Sequence, residues 1–333
     1  MRIDLIELLA DGEVHSGADL ARILECSRTA IWKQLQQLRS IDLEVEATPG
    51  RGYRLARPIE LLASDAIRER LEPRVAAGLG SLQLIAVTDS TNELLRAGPA
   101  ATPGRMHVAF AEYQTGGRGR RGRRWLSPFG GGLCMSAGWT FPVMPPTLPA
   151  LSLAAGVAVH RALSAWSPAG LGLKWPNDIV AGGAKLGGLL IDVHGESDGP
   201  VSVVIGIGIN IDPVDGLAER FDGHDSLPPI GLRSLVRDAR VSRNEIAAAV
   251  TNSLSDMLPE FQATGFESFA EEWRRCDAMK GAPISLRVGE HLRAGIAVGI
   301  GDDGALLFDD GEGVRPVLSG EVTVRQAAAE QGA

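Results

Sequence analysis

Hydrophobic residues recur with a helical period in three short stretches at the start of the chain. The first stretch covers residues 3–9, a capping box at Ser16 opens the second, and Ser27 is placed to cap the third. The apolar residues of the third helix are Ile31, Leu35 and Leu38. Their spacing of four and then three predicts one buried face and one solvent face.

A hairpin and a basic outer face complete this first module. Residues 43–47 and 52–55 flank a Thr-Pro-Gly-Arg segment, which predicts a β-hairpin. With the three helices it makes a winged helix-turn-helix domain of residues 1–58. Residues 27–57 hold six cations and three anions, a net of +3 that suits phosphate contacts. The candidate DNA contacts are Arg28, Thr29, Lys33 and Arg51. A winged helix used only for protein contacts is the alternative.

Longer apolar segments predict a second, larger domain of residues 59–278. After a helical linker at about 61–71, strands are expected at 82–87, 107–111, 133–141 and 201–211. The acid-free, Ala-rich segment 151–166 predicts a buried helix, and Ser242 with Glu245 caps another that runs through Phe261, with 266–276 continuing helical. Two apolar segments around Gly182-Gly183 predict a hairpin whose base carries Lys174, Asn177 and Asp178.

Short strands separated by Gly and Asp turns predict a third domain of residues 279–326. The strands are expected at 283–288, 292–299, 305–309, 314–318 and 321–325, a spacing typical of a small SH3-like barrel. Residues 327–333 are expected to form a frayed tail. The chain is therefore predicted to be α+β with three domains.

Composition narrows the class of protein. The chain has 333 residues and a net charge of −8, enough for two or three domains. Its three cysteines and six histidines show neither disulfide nor zinc spacing. No apolar run reaches the length of a membrane span and the N-terminus is amphipathic, so we expect a cytoplasmic protein without membrane contact.

An arginine- and glycine-rich stretch changes this picture most. Residues 113–125 contain five arginines and four glycines, and no acidic residue occurs between Glu112 and Asp178. Glycine backbones and forked arginine donors suit a multiply charged anion such as a nucleotide phosphate. A solvated basic loop and an RGG-like nucleic-acid segment are the alternatives. The formal match to a dinucleotide fingerprint fails, because no helix pattern and no acidic residue follow, and no Walker loop is present.

Three further segments could take part in a site. Ser90, Thr91 and Asn92 end a predicted strand and would either cap the next helix or hold a small polar ligand. Lysines beside apolar strands, at 174 and 185, are costly unless an anion uses their charge. Glycines at 206 and 208 leave a flat strand surface beside which a ring could lie, although glycine in a strand more often marks a bulge or close packing.

These motifs together resemble those of biotin protein ligases. The matching segments are Ser90-Thr91-Asn92, Gln114 with Gly117 to Arg123, Lys174 to Asp178, Lys185 to Gly188, and Gly206-x-Gly208-x-Asn210. With the predicted winged helix in front, the chain resembles the bifunctional type that also represses biotin-synthesis genes. The resemblance covers nearly the whole chain and implies a class II synthetase-like mixed sheet in the central domain.

The resemblance implies a two-step reaction. Biotin and ATP would give biotinyl-5′-AMP and pyrophosphate, and a lysine of a biotin carboxyl carrier protein domain would then take the biotinyl group. The implied catalytic residues are Lys185 and Arg120. The implied biotin-binding residues are Ser90, Thr91, Asn92, Gln114, Gly117, Arg118, Gly119, Arg120, Lys185, Gly188, Gly206 and Gly208. The implied ATP-binding residues are Arg121, Arg123, Trp125, Lys174, Asn177, Asp178 and Asn210, with Asp178 also a candidate Mg²⁺ ligand.

Several expectations remain open at this point. Operator DNA and a homodimer formed on binding biotinyl-5′-AMP are further implied partners. Members of this family can close the adenine site with a tryptophan, but residues 212–240 contain none, so Phe221 or Leu227 is a candidate replacement. The alternative functions are a ligand-sensing transcription factor without ligase activity and a lipoate–protein ligase.

Overall fold

Three helices and a hairpin form the N-terminal module of the computed structural model, which describes residues 3–166, 168–195, 199–212, 227–236, 241–289 and 291–324. The elements are α1 (Ile3–Leu9), α2 (Gly17–Ile23), α3 (Arg28–Leu38), β1 (Val45–Thr48) and β2 (Gly52–Leu55). Ser16 Oγ accepts a hydrogen bond from Asp19 N at 3.0 Å, and Ser27 Oγ accepts one from Ala30 N at 3.1 Å. Both predicted caps and the helix-turn-helix with its hairpin are confirmed.

A seven-stranded mixed sheet forms the body of the protein. In chain order its elements are α4 (Ser64–Arg68), α5 (Pro73–Gly78), β3 (Leu79–Thr88), α6 (Thr91–Ala97), β4 (Met106–Gln114), β5 (Gly132–Phe141), α7 (Leu151–Ser164), β6 (Gly172–Lys174), β7 (Asp178–Ala181), β8 (Ala184–Gly195), β9 (Val201–Asn210), α8 (Arg243–Thr264) and α9 (Glu267–Arg275). The strand order is β3-β4-β5-β9-β8-β7-β6, with β3 and β4 parallel and the other pairs antiparallel. Helices α7 and α8 pack on one face through a continuous apolar core.

Two helix predictions differ from the observed boundaries. The linker helix expected at about 61–71 is shorter, because α4 covers only Ser64–Arg68, and a separate short helix, α5, starts beyond the predicted range with Pro73 in its first turn. Helices α8 and α9 are separate because Gly265 takes a φ of 68°, which ends the first one. The Ser242 cap is confirmed by its hydrogen bond from Glu245 N at 3.3 Å.

A small antiparallel sheet follows the body. Its strands are β10 (Pro283–Val288), β11 (His291–Ile300), β12 (Leu306–Asp309), β13 (Val314–Val317) and β14 (Glu321–Val324), in the order β13-β12-β11-β10-β14. Trp175, buried in the body, donates from Nε1 to Gly304 O at 3.1 Å and fastens the sheet to it. The predicted α+β fold class is confirmed, whereas the domain boundaries stay predictions and the expected tail lies outside the described residues.

A buried ion pair joins β4 to α8 near the linker between the N-terminal module and the body. Arg243 Nη1 lies 2.7 Å from Glu112 Oε2, and neither side chain is more than 1% exposed. Leu62 N donates to Glu112 Oε1 at 2.5 Å, so the carboxylate also holds the linker. Phe129, from the body, packs into the apolar cluster of the N-terminal module. None of the helices in the described ranges is long and apolar enough to cross a membrane.

Candidate active site

Small residues, with Leu190 at one edge, cover one face of the central sheet where four strands lie side by side. Cross-strand partners share a face, so the register defines two rows across β4, β5, β9 and β8. The first row is Ala109, Ser136, Gly206 and Leu190, and the second is Ala111, Cys134, Gly208 and Gly188. The opposite face carries large apolar residues and faces the helices. The small-residue face is therefore the side of the sheet against which α6 and Trp125 lie.

The second row continues into charged residues on the next two strands. Asp178 is the partner of Gly188, and Lys174 is the partner of Asp178. A β-bulge between β7 and β8 shifts the register at Ile179 and Val180, and this shift turns Lys185 onto the same face. The bulge explains why two lysines of different strands reach one carboxylate.

Lys174, Asp178 and Lys185 form a cationic trio. Lys174 Nζ lies 3.0 Å from Asp178 Oδ2, and Lys185 Nζ lies 2.5 Å from Asp178 Oδ1. Burial alone would raise the pKa of Asp178, but the two ammonium groups outweigh it and hold the pKa below its usual value. The chain has only four lysines, at 33, 174, 185 and 280, so half of them belong to this trio. The trio keeps a net charge of +1 for an anion.

Asp178 does not suit the predicted Mg²⁺ as it is arranged here. Both of its carboxylate oxygens already accept hydrogen bonds from lysine ammonium groups. These two adjacent cations would also repel a bound Mg²⁺. No group of three metal-binding side chains occurs within the described ranges. The geometry favours direct contact between the lysines and an anion, so no step of the chemistry is assigned to a metal.

Ser90, Thr91 and Asn92 lie at the start of α6, above the first row. Ser90 occupies the N-cap position, yet its side chain makes no capping hydrogen bond. All three residues are nearly buried, at 5%, 3% and 6% exposure. Thr91 N donates to Gln114 Oε1 at 2.8 Å, which brings together two motifs that are 23 residues apart. Capping therefore does not account for the Ser90 side chain, and the arrangement favours a ligand.

Two glycines allow side chains to touch the sheet. A Cβ at Gly206 would overlap Asn92 Oδ1, and one at Gly208 would overlap the indole of Trp125. Trp125 therefore lies on the sheet over the second row, and its Nε1 is buried with no hydrogen-bond partner in the described structure. Any larger residue at 206 or 208 would push these groups off the sheet.

The arginine-rich segment folds back on itself as a loop beside the trio. Trp125 N donates to Gly117 O at 2.9 Å, and Gly119 N donates to Arg123 O at 2.6 Å. Arg121 closes the turn with a φ of 55°. These bonds close the loop at Gly117, which lies against the Gln114 side chain.

Carboxylates from two sides pair with most of these arginines. Arg118 Nη1 lies 2.9 Å from Glu93 Oε1 on α6, while Arg121 and Arg123 both pair with Glu321 on β14. Arg120 makes only a 3.4 Å contact with Gly320 O. Burial and the neighbouring arginines lower the pKa of Arg120, which remains fully charged at neutral pH. A bound anion would relieve this cost, so Arg120 is the arginine best prepared for one.

Two further predicted site residues, Asn177 and Asn210, hydrogen-bond to the backbone of β8. Asn177 Nδ2 donates to Leu189 O at 2.7 Å, and Asn210 Nδ2 lies 3.4 Å from Lys185 O, so both amides support strand β8. Backbone bonds from Lys185 to Pro228 and Ile230 bring that segment beside the trio. Leu227 is half-buried next to it, whereas Phe221 lies outside the described residues.

Two residues of the site have no motif that predicts them. Ser136, fully buried on β5, contacts Thr91 Oγ1 at 2.7 Å and Asn92 Oδ1 at 2.6 Å. Asp192 on β8 accepts from Asn92 Nδ2 at 2.8 Å. Both stand in strands that we predicted, and only the cross-strand register places them beside α6.

The N-terminal module presents a second candidate surface. Arg28, Thr29 and Lys33 are exposed on α3, and Arg51 is exposed at the hairpin tip. Trp32, on the same face of α3, is 52% exposed. An exposed tryptophan among cationic side chains suits contact with a polyanion such as a nucleic acid.

Comparisons with known proteins match both the N-terminal module and the central sheet. The profile of the biotin/lipoate A/B protein ligase family matches residues 84–210, and an HTH-domain profile matches residues 2–54. The bifunctional ligase/repressor BirA of Salmonella typhimurium is 35% identical over 327 residues, covering 98% of both chains. BirA of Bacillus subtilis is 32% identical over 335 residues, covering 97% of this chain and 98% of the relative.

A solved structure shares the fold of the larger part. The biotin protein ligase from Aquifex aeolicus in complex with biotin and ATP superposes with a TM-score of 0.61 at 29% identity, covering 75% of this chain and 100% of that one. Fold and site together define a protein ligase of the biotin/lipoate type with a helix-turn-helix module attached. Within that class, the chain belongs to the family of bifunctional biotin ligase/repressors, because its similarity to the BirA proteins spans nearly the full length of both.

Proposed function

We propose that the protein attaches biotin to a lysine of a biotin carboxyl carrier protein domain in two steps. An oxygen of the biotin carboxylate attacks the α-phosphorus of ATP, and pyrophosphate leaves. The ε-amine of the acceptor lysine then attacks the carbonyl carbon of biotinyl-5′-AMP, AMP leaves, and the amine loses a proton. The product is a biotinyl amide.

One observation carries this proposal. The small-residue face has a polar, uncharged end at Thr91 and Gln114 and a cationic end at Lys185. The two rows that lead to these ends are two residues apart along β9, or about 7 Å. Biotin has the matching polarity, with an uncharged ureido ring at one end and a carboxylate at the other.

The cationic end suits the first step. A carboxylate that attacks a phosphate must overcome repulsion between two anions, and preorganised cations reduce that barrier. Lys185 and Arg120 would neutralise the carboxylate and the α-phosphate, and Lys174 would support Lys185 through the Asp178 that both lysines contact. Arg118 would hold the biotin carboxylate, and Arg121 and Arg123 the leaving pyrophosphate, after exchanging their carboxylate partners for the substrates.

The polar end argues against lipoate as the substrate. A dithiolane ring offers no strong hydrogen-bond donor or acceptor, so lipoate would bury the Gln114 amide without a partner, at a cost of about 1–3 kcal/mol. The ureido ring of biotin satisfies such groups. Competition for the site by lipoate and not by biotin would reverse this assignment.

Biotin-dependent exchange of pyrophosphate into ATP tests the enzymatic proposal. We expect exchange that requires biotin, followed by transfer to a carrier domain and not to a carrier whose acceptor lysine is replaced by arginine. Biotin binding without exchange would instead leave a ligand-sensing transcription factor.

The second proposed role is repression through operator DNA. The support is the exposed cationic face of α3 and the basic hairpin tip at Arg51. Removal of residues 1–58, the proposed DNA-binding domain, should abolish DNA binding in a gel-shift assay. Retention of binding by the truncated chain would contradict this assignment. We also propose that the adenylate-bound form is a homodimer, which sedimentation velocity with and without biotin and ATP would test.

A further inference from the structure

A single carboxylate holds the first arginine of the arginine-rich loop. Glu93, in the first turn of α6, accepts a hydrogen bond from Arg118 Nη1 at 2.9 Å. Among the residues that the structure describes, no other carboxylate pairs with Arg118. Arg121 and Arg123 have a different partner, Glu321. Arg118 is therefore held by α6, and not by the small sheet that holds the other two arginines.

Glu93 has a second partner that remains when Arg118 leaves. Its other carboxylate oxygen, Oε2, accepts from Arg96 Nε at 2.8 Å and also from Arg96 Nη2. Arg96 lies three residues further along α6, so this pair is local to the helix. Chiefly through its hydrogen bonds to Arg96, the pKa of Glu93 is held below its usual value, so the group is ionised at neutral pH. Glu93 can thus release Arg118 without becoming an unpaired carboxylate.

The pair between Glu93 and Arg118 is easy to exchange. The Arg118 side chain is 63% exposed and that of Glu93 is 27% exposed, so water reaches both. Exposed ion pairs contribute little stability, because water screens them and two long side chains must be ordered. A carboxylate that arrives on a ligand offers Arg118 the same charge and the same acceptor geometry as Glu93. It can therefore take the place of Glu93 at a small cost.

We propose that Glu93 is a positioning residue that competes with the biotin carboxylate for Arg118 and so sets the affinity for biotin. The inference rests on the proposed function, in which Arg118 binds that carboxylate. Only a ligand with a carboxylate can make this exchange, because a neutral ester or amide offers Arg118 no charge. Once the biotinyl group has been transferred as an amide, Glu93 recaptures Arg118.

Glu93→Gln tests the competition, because it removes the charge at nearly constant size. We expect calorimetry to give a Kd for biotin about 3-fold tighter, the scale of one exposed ion pair. In steady-state ligation, KM for biotin should fall by a similar factor, with much smaller changes in kcat and in KM for ATP. The Kd for biotin methyl ester should not change. Glu271→Gln, which breaks an exposed pair with Arg275 on α9 and removes the same charge, is the matched control and should leave all of these values unchanged.

A double-mutant cycle separates competition from a general effect of charge. Arg96→Gln removes the alternative partner of Glu93, strengthens its hold on Arg118, and so should weaken biotin binding by about 3-fold. A long-range field would give the same sign, because a positive charge is lost. In the Glu93→Gln background, competition predicts that Arg96→Gln has almost no effect, whereas a field predicts the same effect as in the wild type. Additive effects in this cycle would overturn the inference.

Glu93→Asp is the second variant, and it replaces Glu93→Gln if that variant does not fold. It keeps an acid in the first turn of the helix, but its carboxylate is one methylene too short for Arg118. Biotin binding should again tighten, and unchanged or weaker binding would overturn the inference. An equal change in the Kd for the methyl ester would also overturn it, because the effect would then come from the shape of α6 and not from the ligand carboxylate.

The wild-type protein distinguishes failure of this inference from failure of the proposed function. If the wild type does not bind biotin, the proposed function is overturned as well. If it binds biotin and Glu93→Gln binds biotin with the same Kd, only the competition between Glu93 and the biotin carboxylate is overturned.

Discussion

Removing the Lys185 ammonium isolates the charge on which the proposed first reaction step depends. With Lys174 and Asp178 it makes a trio of net charge +1, and Lys185→Ala reduces this to zero. A unit charge about 4 Å from a phosphate oxygen contributes about 4 kcal/mol at an effective dielectric of about 20. The side chain is 28% exposed, so water screens part of this. We therefore expect the adenylation rate to fall by at least about 10²-fold.

Folding should suffer much less than catalysis in this variant. Asp178 keeps Lys174 at 3.0 Å, so no buried carboxylate is left unpaired, and the free energy of unfolding should fall by about 1 kcal/mol or less. Pyrophosphate exchange measures adenylation, urea unfolding measures stability, and Lys280→Ala, at an exposed lysine, is the control. Near-normal exchange in Lys185→Ala would refute the catalytic role, and a large loss of stability would refute the independence of fold and charge.

Three further predictions concern ionisation and burial. The pKa of Asp178 is lowered, so its stabilising contribution is present above about pH 3.8 and lost only as pH falls through the lower folded value; a stability transition near pH 5 that disappears in Asp178→Asn would contradict this. Burial raises the pKa of Cys134 to about 11 from 9.0, so its thiolate is about 100-fold rarer at neutral pH than that of a thiol with the ordinary pKa. The half-buried Cys26 should therefore react before Cys134 with a thiol reagent, as peptide mapping would show. Glu112→Gln leaves Arg243 buried without its partner and should cost about 3–5 kcal/mol in urea unfolding; a loss below about 1 kcal/mol would show that the pair is not buried in solution.

Local patterns predicted the elements of this fold far better than their junctions. The caps at Ser16, Ser27 and Ser242 depend on side chains three residues from their partners, and all three were predicted correctly. The linker helix was predicted too long, because α4 ends at Arg68 and Pro73 opens a separate helix beyond it, whereas Gly265 divides α8 from α9. Nearby sequence therefore determines where an element begins, and a single proline or glycine determines where it stops.

The candidate site was predictable only as far as motifs extend. Ser90 to Asn92 and Gln114 could be named, but their meeting depends on the parallel pairing of β3 with β4, which no spacing reveals. Lys185 reaches Asp178 because of a bulge in the ladder, and Ser136 and Asp192 enter through cross-strand register alone. Non-local pairing is thus the information that a single sequence does not display.

The linker between the N-terminal module and the body makes hydrogen bonds and ion pairs near the ends of the strands that carry the candidate site. Glu112 lies two residues before Gln114 on β4 and holds both Arg243 and the N–H of Leu62. Asp212, two residues beyond Asn210, pairs with Arg57 at 3.4 Å and with Arg233, which also lies 3.7 Å from Glu60. A shift at the end of β4 or β9 must therefore strain bonds to the linker. The proposed biotin site and the N-terminal module are thus joined through the linker by contiguous hydrogen bonds and ion pairs.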